Sequence, residues 1–424
     1  MCWISKKNKR RAYPRVDGPP RMILGRFDSE GSRQVLLSSC RRKGCDCGYT
    51  KPKRSCKRSC KEFLLFLNPW CLLTSLVLSL LLLGLSFQCA EWGAKQVIYS
   101  LITLKEGSAF EATWKKGEPA LTYKAYIFNL TNPEEFKRGA RPRVVEQGPY
   151  VYQLKEQKEN IVYNSDNTVT FQGRPIYTFQ RSKSVGPEND LVTTFNVPLI
   201  NAGEKVRGSP IGLGVLNAAK RVHDFKSLKE VSVGKLLWGH RSKVLDWARQ
   251  FTKVPYPYQD FGLMMGRNDT LQPSYTMHTG AGGSGSIYNI RSVLKYNNSD
   301  HLQVWSGDFC NKIKGTDMGG FHPEISRKEV LHVFNGQLCR SLPLIYNKTV
   351  YHSGLEAYRF INPPGTFAYG PHRSKNRCYC SKEGCPQRGI LDMKSCYFGA
   401  AVAFSFPHFY QGHPSLTHKV QGLR

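Results

Sequence analysis

The cysteines are the residues whose type and spacing point most directly to chemistry. The chain has 14 of them, and eight lie at or before Cys89. The remaining six are clustered late: Cys310, Cys339, Cys378, Cys380, Cys385 and Cys396. An even number of cysteines in an oxidising compartment predicts disulfides, here three, but spacing alone does not choose among the pairings that six cysteines allow.

The early cysteines suggest a different chemistry. Cys40, Cys45, Cys47, Cys56 and Cys60 lie in a basic segment without the paired C-x-x-C knuckles of a zinc site, so no metal is predicted. Cys56 and Cys60 lie just before a long apolar stretch, which makes them candidates for S-acylation. Unmodified, reduced thiols are the alternative.

The sequence contains no set of residues typical of catalysis. The histidines are scattered, and no H-E-x-x-H motif is present. Residues 280–285 match G-x-G-x-x-G, but no βαβ pattern follows, so we interpret them as a Gly-rich hairpin. Asp308 and Asp317 could form an acid pair, yet nothing in the sequence positions them. We therefore expect neither an enzyme nor a cofactor.

A single apolar stretch decides how the chain is organised. Residues 63–90 contain no charged side chain, and a bilayer core needs about 20 apolar residues in a helix. A signal peptide is the alternative, but this stretch is too long and begins too far from the N-terminus. We predict a transmembrane helix over residues 63–90.

The flanking charges predict its orientation. Residues 1–62 hold 18 Lys and Arg against 5 Asp and Glu, and the positive-inside rule places this basic tail, which we expect to be disordered, in the cytosol. Residues 91–424 would then be extracellular or lumenal. Four N-x-[ST] triplets agree, because all lie after the helix and are predicted glycosylation sites: Asn129, Asn268, Asn297 and Asn347.

The charge balance restricts the class of partner. The formal net charge of +30 would normally suggest nucleic acid. An extracellular basic domain instead suits anionic lipid, lipoprotein or an acidic partner, so no nucleic acid is expected.

Residues 91–424 are predicted to form a mostly antiparallel β domain interrupted by helices. A turn is predicted at 146–150, leading into a short strand at 150–154, and further short strands are predicted at 160–162, 168–171 and 176–180. Residues 211–251 show helical spacing, as in Val215, Ala219 and Val222, and predict three short helices. Cations decorate this segment: Lys220, Arg221, Lys226, Lys229 and Lys235. A solvated charged surface is the plain alternative to a binding face.

Several blocks occur in one order that resembles the class B scavenger receptor family, which includes fatty acid translocase, the lysosomal integral membrane proteins and the insect sensory neuron membrane proteins. The blocks are Glu146-x-Gly148-Pro149-Tyr150, Leu236-Leu237-Trp238-Gly239, Trp305-x4-Cys310, Gly315-Thr316-Asp317, Leu338-Cys339-Arg340-Ser341, Cys378-x-Cys380 and Ser405-Phe406-Pro407-His408-Phe409.

The resemblance implies an α+β membrane protein. Its ectodomain would be an antiparallel, β-barrel-like structure with a hydrophobic tunnel and an apical helical bundle at about residues 211–251. The family's last strands and second membrane helix are missing from this sequence, which ends at Arg424. The disulfides implied by position are Cys310–Cys378, Cys339–Cys396 and Cys380–Cys385.

The resemblance also implies a function. The protein would be a receptor of the plasma membrane, or of lysosomal and endosomal membranes, that binds and transfers lipidic ligands without catalysis. Fatty acids, lipoproteins and anionic phospholipid or apoptotic-cell surfaces are the candidate ligands, and the five cations at 220–235 are the candidate docking residues. One alternative is a lysosomal sorting receptor that carries a hydrolase on its apical helices. Another is a membrane-anchored ectoenzyme.

Overall fold

The computed structural model describes residues 2–4, 69–251, 253–254, 256–282, 286–370, 375–381, 384–397 and 399–423. The chain divides into two compact units, one of Met1–Lys7 with Ile98–Arg424 and the other of Asn8–Val97. The S-acylation candidates Cys56 and Cys60, and nearly all of the predicted cytosolic tail, lie outside the described residues.

The described part of the predicted transmembrane segment is helical. It begins at Pro69 and continues to Ile102, 34 residues in all, and none of its residues is buried. At about 1.5 Å per residue it is about 51 Å long, whereas a bilayer core is about 30 Å thick. The apolar part therefore matches a membrane span by length and composition, and the helix extends twelve residues past the predicted end at Ala90.

Nine α-helices lie in the described residues, and we number them in chain order. They are α1 Pro69–Ile102, α2 Ala109–Lys115, α3 Pro133–Lys137, α4 Val197–Val206, α5 Pro210–Val222, α6 Val233–Trp238, α7 Lys243–Phe251, α8 Asp308–Asn311 and α9 Pro414–His418.

Fifteen strands lie in the same residues. They are β1 Cys2–Ile4, β2 Leu121–Leu130, β3 Val144–Tyr163, β4 Thr168–Phe179, β5 Leu191–Phe195, β6 Leu228–Ser232, β7 His240–Arg241, β8 Asp260–Phe261, β9 Ser274–His278, β10 Val293–Tyr296, β11 Val330–Asn335, β12 Arg340–His352, β13 Leu355–Ile361, β14 Ile390–Asp392 and β15 Ala403–Ser405.

The largest sheet is antiparallel throughout. Its strand order is β1-β2-β3-β4-β9-β10, and a second sheet has the order β11-β12-β13. Isolated bridges from Ser292 to Thr316 and from Thr316 to Val333 connect the two sheets. The described strands do not close into a barrel, because β1 and β10 are both edges and β10 continues into this bridging segment. The barrel-like closure is thus not formed by backbone pairing among the described strands.

Two long strands replace four predicted short ones. Residues 144–163 form one strand and residues 168–179 form the next, paired along most of their length. The turn predicted at 146–150 is wrong, because these residues lie within the first strand and pair with β2. Gly173 and Pro175 suggested breaks, but both pair across the hairpin, opposite Lys158 and Glu156. Long-range pairing here overrides the local signal of these two residues.

The strand β1 was not predicted at all. Cys2–Ile4 pairs antiparallel with β2, with Cys2 opposite Ala125. This differs from the expectation that the whole tail is disordered. An edge strand offers unpaired N–H and C=O groups, and three residues with β-forming side chains can use them.

Aromatic side chains dominate the core beside β2 and β3. Tyr150 and Tyr152 are almost completely buried, and their hydroxyls donate to Asp190 Oδ2 at 2.9 Å and Glu188 Oε1 at 2.8 Å. Burial, reinforced by the bond to Asp190, raises the pKa of Tyr150 to about 12. Trp238 Nε1 reaches both Tyr152 Oη and Glu188 Oε1 at 3.3 Å, so this network ties the end of α6 to the sheet.

Three disulfides fasten the region after β10. They join Cys310 to Cys378, Cys339 to Cys396 and Cys380 to Cys385, with Cα separations of 5.9, 6.2 and 4.5 Å. These are the pairs that the family resemblance implies, and all three separations lie within the range that a disulfide spans. The bonds enclose a core built around Trp305, Leu391 and Met393.

Candidate ligand-docking site

The helical region is larger than predicted and is not purely helical. It begins at Val197 rather than Ile211, and the segment predicted as a helix at 227–240 contains the strand β6 followed by the short helix α6. Ser209 and Ser232 cap α5 and α6, since their hydroxyls accept from Gly212 N at 3.1 Å and Lys235 N at 3.4 Å.

A compact core holds these helices together. One buried cluster contains Leu199 of α4, Leu216 and Ala219 of α5, Val244 of α7 and Phe225 from the loop after α5. Helices α4 and α7 thus pack on one side of α5, which leaves the other side of α5 uncovered by this cluster.

Four of the five predicted docking cations are exposed. Lys220 and Arg221 lie in the last turn of α5, where positive charge favours the helix macrodipole. Lys226 lies in the following loop, 3.6 Å from Asp224 Oδ2, with both side chains mostly exposed. Lys235 lies on α6. Because this ion pair is exposed to solvent, Asp224 neutralises little of the charge of Lys226, and Lys226 stays available to an anion.

Lys229 is different, and its placement on a helix was wrong. It lies on β6 and is half-buried, because β6 pairs with β5 and packs on the domain. Its Nζ is 2.9 Å from His240 Nε2, and both line a small cavity with Phe195 and Phe261. Burial, with a contribution from Lys243, lowers the pKa of Lys229. Burial and then the charge of Lys229 lower the pKa of His240, which keeps that ring neutral as an acceptor.

An apolar stripe on α5 was not predicted from the sequence. Ile211, Val215 and Val222 are 81%, 54% and 78% exposed and recur at helical spacing. Spacing alone suggested that Val215 and Val222 share a face with Ala219, yet Ala219 and Leu216 are buried and the two valines are not. The sequence signal that could have revealed it is Ser209-Pro210, which marks the start of a helix and so places Ile211 in its first turn.

The four sequons lie in different surroundings. Asn268, Asn297 and Asn347 are exposed, whereas Asn129 is half-buried in β2. Asn129 Oδ1 accepts from Thr193 N at 2.8 Å, and Asn268 Oδ1 accepts from Tyr177 N at 2.9 Å. In Asn129 and Asn268 the side-chain nitrogen, which would carry the glycan, does not take part in these two hydrogen bonds.

No group of three or more His, Cys, Asp or Glu that could hold a metal occurs in the described ranges. Of the imagined acid pair, Asp317 is buried and bonded to Arg291 at 3.2 Å, while Asp308 is exposed beside His301. The two carboxylates therefore have separate partners, and the structure does not bring them together as an acid pair.

The comparison with known proteins decides the family. The model of the CD36 family matches residues 72–424. The chain belongs to the CD36 family. Human lysosome membrane protein 2 is 33% identical over 363 residues, which cover 83% of this chain and 74% of that protein. Mouse scavenger receptor class B member 1 is 30% identical over 331 residues, which cover 78% of this chain and 64% of that protein.

This CD36 family member is therefore a scavenger-receptor-like membrane protein, and the membrane location expected from its apolar helix is confirmed. Its relatives carry the names of a lysosome membrane protein and of a receptor. The resemblance found from the motifs thus identified the family correctly.

Proposed function

We propose that this protein is a receptor that binds and transfers lipidic ligands, and that anionic ligands dock on the exposed cations of the helical region. The candidate ligands remain fatty acids, lipoproteins and anionic phospholipid or apoptotic-cell surfaces. The charge balance supports this proposal most directly. Between Val197 and Phe251 the sequence has ten Lys and Arg against four Asp and Glu.

The docking set is revised by burial. Lys220, Arg221, Lys226 and Lys235 are exposed to an approaching particle, while the ammonium of Lys229 is engaged with His240. Exposed cations of this kind raise the local concentration of anionic particles and speed their encounter, and salt weakens the effect. The four exposed side chains therefore form the proposed docking set.

The second part of the proposal concerns the acyl chain. The family resemblance implies an apolar tunnel through the β domain, into which a docked lipid would pass its chain without any bond being made or broken. Burying each CH₂ group stabilises the complex by about 0.8 kcal/mol, so affinity should increase with chain length.

Charge-removing variants in the full chain test the docking step. The double variants Lys220→Gln with Arg221→Gln and Lys226→Gln with Lys235→Gln should each reduce binding to phosphatidylserine vesicles by about tenfold at low salt. Phosphatidylcholine vesicles should show no such loss. The control removes two exposed charges elsewhere, at Lys295 and Lys328.

Unchanged vesicle binding by both double variants, at low salt and with normal expression, would remove these cations from the mechanism. A loss of equal size in the control would show that only net charge matters.

A second candidate function is favoured by the apolar stripe of Ile211, Val215 and Val222. Exposed apolar residues in one line typify a protein-docking helix, and the stripe lies on the same helix as Lys220. A protein ligand such as a hydrolase would then bind here, as a sorting receptor requires. Replacing Ile211 and Val215 by Ser should abolish protein capture and leave the salt-dependent vesicle binding unchanged.

A further inference from the structure

A second cationic site lies far along the chain from the helical region. A cavity of about 180 Å³ opens between α8, the strands β11 and β12, the loop 363–366 and the short 3-10 helix Lys375–Tyr379. We call it the Arg340 pocket. Its lining includes Lys312, Lys314, His332, Arg340, Ser341 and Tyr379.

Among the described residues, the buried guanidinium of Arg340 has no paired carboxylate. Arg340 is 3% exposed, and its Nη2 donates to Thr366 O at 2.8 Å and to Asn376 Oδ1 at 3.3 Å. Its Nε and Nη1 are buried and have no hydrogen-bond partner among the described residues. The guanidinium stacks 3.8 Å from the ring centre of Tyr379, which gives it a π face but no negative charge. A buried charge without a paired charge is costly, so this arrangement calls for an anion.

The walls of the pocket carry the same sign of charge. Lys312 and Lys314 line it, and neither forms an ion pair with any described residue. Lys314 Nζ lies 4.7 Å above the ring centre of Phe309. Burial, and then the charge of Lys314, lower the pKa of His332. In the part of the chain that the structure describes, no Asp or Glu lines this pocket.

The pocket is held by rigid parts. The Cys310–Cys378 disulfide ties the helix that carries Phe309 to the 3-10 helix that carries Tyr379. Ser341 Oγ accepts from Lys314 N at 2.9 Å, so its own hydroxyl hydrogen remains free to donate. A binding site built on such fixed elements loses little entropy when a ligand enters.

Size and donor number select the ligand. A volume of about 180 Å³ holds about six waters and is smaller than the roughly 300 Å³ at which drug-sized ligand pockets begin. It is too small for an acyl chain and suits a compact group. The ammonium groups of Lys312 and Lys314 and the hydroxyl of Ser341 are the donors at this cavity, and the charge of the buried Arg340 in its wall adds to their attraction for an anion. A phosphate carries more negative charge and more acceptor oxygens than a carboxylate, so it fits this set better.

We propose that the Arg340 pocket binds a phosphate group, either as the free ion or as the headgroup of a phospholipid. The site is independent of the docking cations on α5 and α6, so it stands or falls separately from the proposed function.

Titration calorimetry on the full chain in nonionic detergent tests this proposal, with inorganic phosphate as the first probe and a soluble short-chain phosphatidic acid as the second. Saturable binding of at least one probe is expected. Lys314→Gln should weaken it about tenfold, as loss of a charge-assisted hydrogen bond predicts, and Ser341→Ala should weaken it about threefold. Lys328→Gln, which removes an exposed charge outside the pocket, should leave it within about twofold.

The two probes separate the sources of the phosphate. Binding of both probes with the same Lys314 dependence indicates a free-phosphate site, and binding of phosphatidic acid alone indicates a lipid headgroup. The variant Arg340→Met removes the charge from the wall of the pocket, and if folded by circular dichroism it should also bind at least tenfold more weakly. Absence of saturable binding of either probe by the wild type, or equal affinities in Lys314→Gln and Lys328→Gln, would overturn the proposal.

Discussion

At the scale of single residues, the buried ion pair of Arg291 and Asp317 anchors the bridging segment between the two sheets. Arg291 Nε and Nη2 donate to the two carboxylate oxygens of Asp317 at 3.2 Å, and Gly319 N adds a bond at 3.0 Å. Burial alone would raise the pKa of Asp317, but the Arg291 guanidinium beside it holds that pKa below its ordinary value.

Replacing Asp317 by Asn should destabilise the fold by about 3–5 kcal/mol at pH 7, because it leaves Arg291 buried without its partner. The folded-state pKa of Asp317 is lowered, so its contribution is present above the unfolded value of about 3.9 and is lost as pH falls below it. The difference between wild type and variant in urea unfolding should therefore shrink in acid. Equal stability at pH 7, or a loss as large for the exposed Asp300→Asn, would contradict this role.

Lys229 gives a second prediction at this scale. Because its ammonium is half-buried against His240, Lys229→Met should change binding of phosphatidylserine vesicles by less than about twofold. It should also let the pKa of His240 rise toward its ordinary value, since Lys229 lowers it. Histidine NMR measures the second effect. If Lys229→Met reduced vesicle binding as much as the Lys220 and Arg221 double variant does, the prediction would be wrong and Lys229 would be a docking residue.

At the scale of elements, the disulfides differ in what they restrain. Cys310 and Cys378 are 68 residues apart, whereas Cys380 and Cys385 are 5 apart. In the chain-entropy account, removing the long bridge by paired Cys→Ser changes should cost about 4 kcal/mol and removing the short one about 2 kcal/mol. Chemical unfolding of the two paired variants measures the difference. A larger loss from the short bridge would show that loop entropy is not the main contribution.

Sequence patterns predicted some elements well and others poorly. The apolar stretch identified α1, because a charge-free run of that length is rare outside a membrane span. The predicted breaks at Gly148-Pro149 in β3 and at Gly173 and Pro175 in β4 do not occur, since a local rule cannot see the partner strand. Lys229 was placed on a helix because a short apolar run fits either period, and only its pairing with β5 settles the choice.

The candidate site was harder to predict than the fold. The sequence showed where cations cluster, but not that Lys229 is half-buried or that Val215 and Val222 face outward. Arg340 was noticed only as part of a motif beside Cys339. In the described structure Arg340 is buried with no carboxylate beside it, and this depends on residues from α8, β12 and the 3-10 helix meeting in space, which no linear spacing reveals.

At the scale of the whole molecule, topology is the first prediction. The basic flank predicts a cytosolic N-terminus, while the pairing of β1 with β2 requires the N-terminus on the same side as the sheet. The charge rule predicts that an N-terminal epitope is detected only after cells are permeabilised, a result incompatible with the pairing of β1 with β2. Labelling of intact cells would instead favour the paired strand and contradict the charge rule.

Glycosylation tests the same topology from the other side. We expect glycans on Asn129, Asn268, Asn297 and Asn347, and glycosidase treatment should increase the mobility of the chain on a gel. Thr270→Ala removes one sequon while keeping the bond from Tyr177 N to Asn268 Oδ1, so it should remove one glycan without loss of stability. No mobility shift with glycosidase would mean that these residues do not face the lumen.

We propose that this CD36 family member takes up lipid, with charge attracting the ligand to the surface and burial of the acyl chain holding it. Affinity for saturated fatty acids of increasing length tests this claim most directly, since the carboxylate stays the same along the series. Each added CH₂ should lower the dissociation constant about fourfold until the proposed tunnel is filled, from about 0.8 kcal/mol per group. An affinity independent of chain length would contradict it.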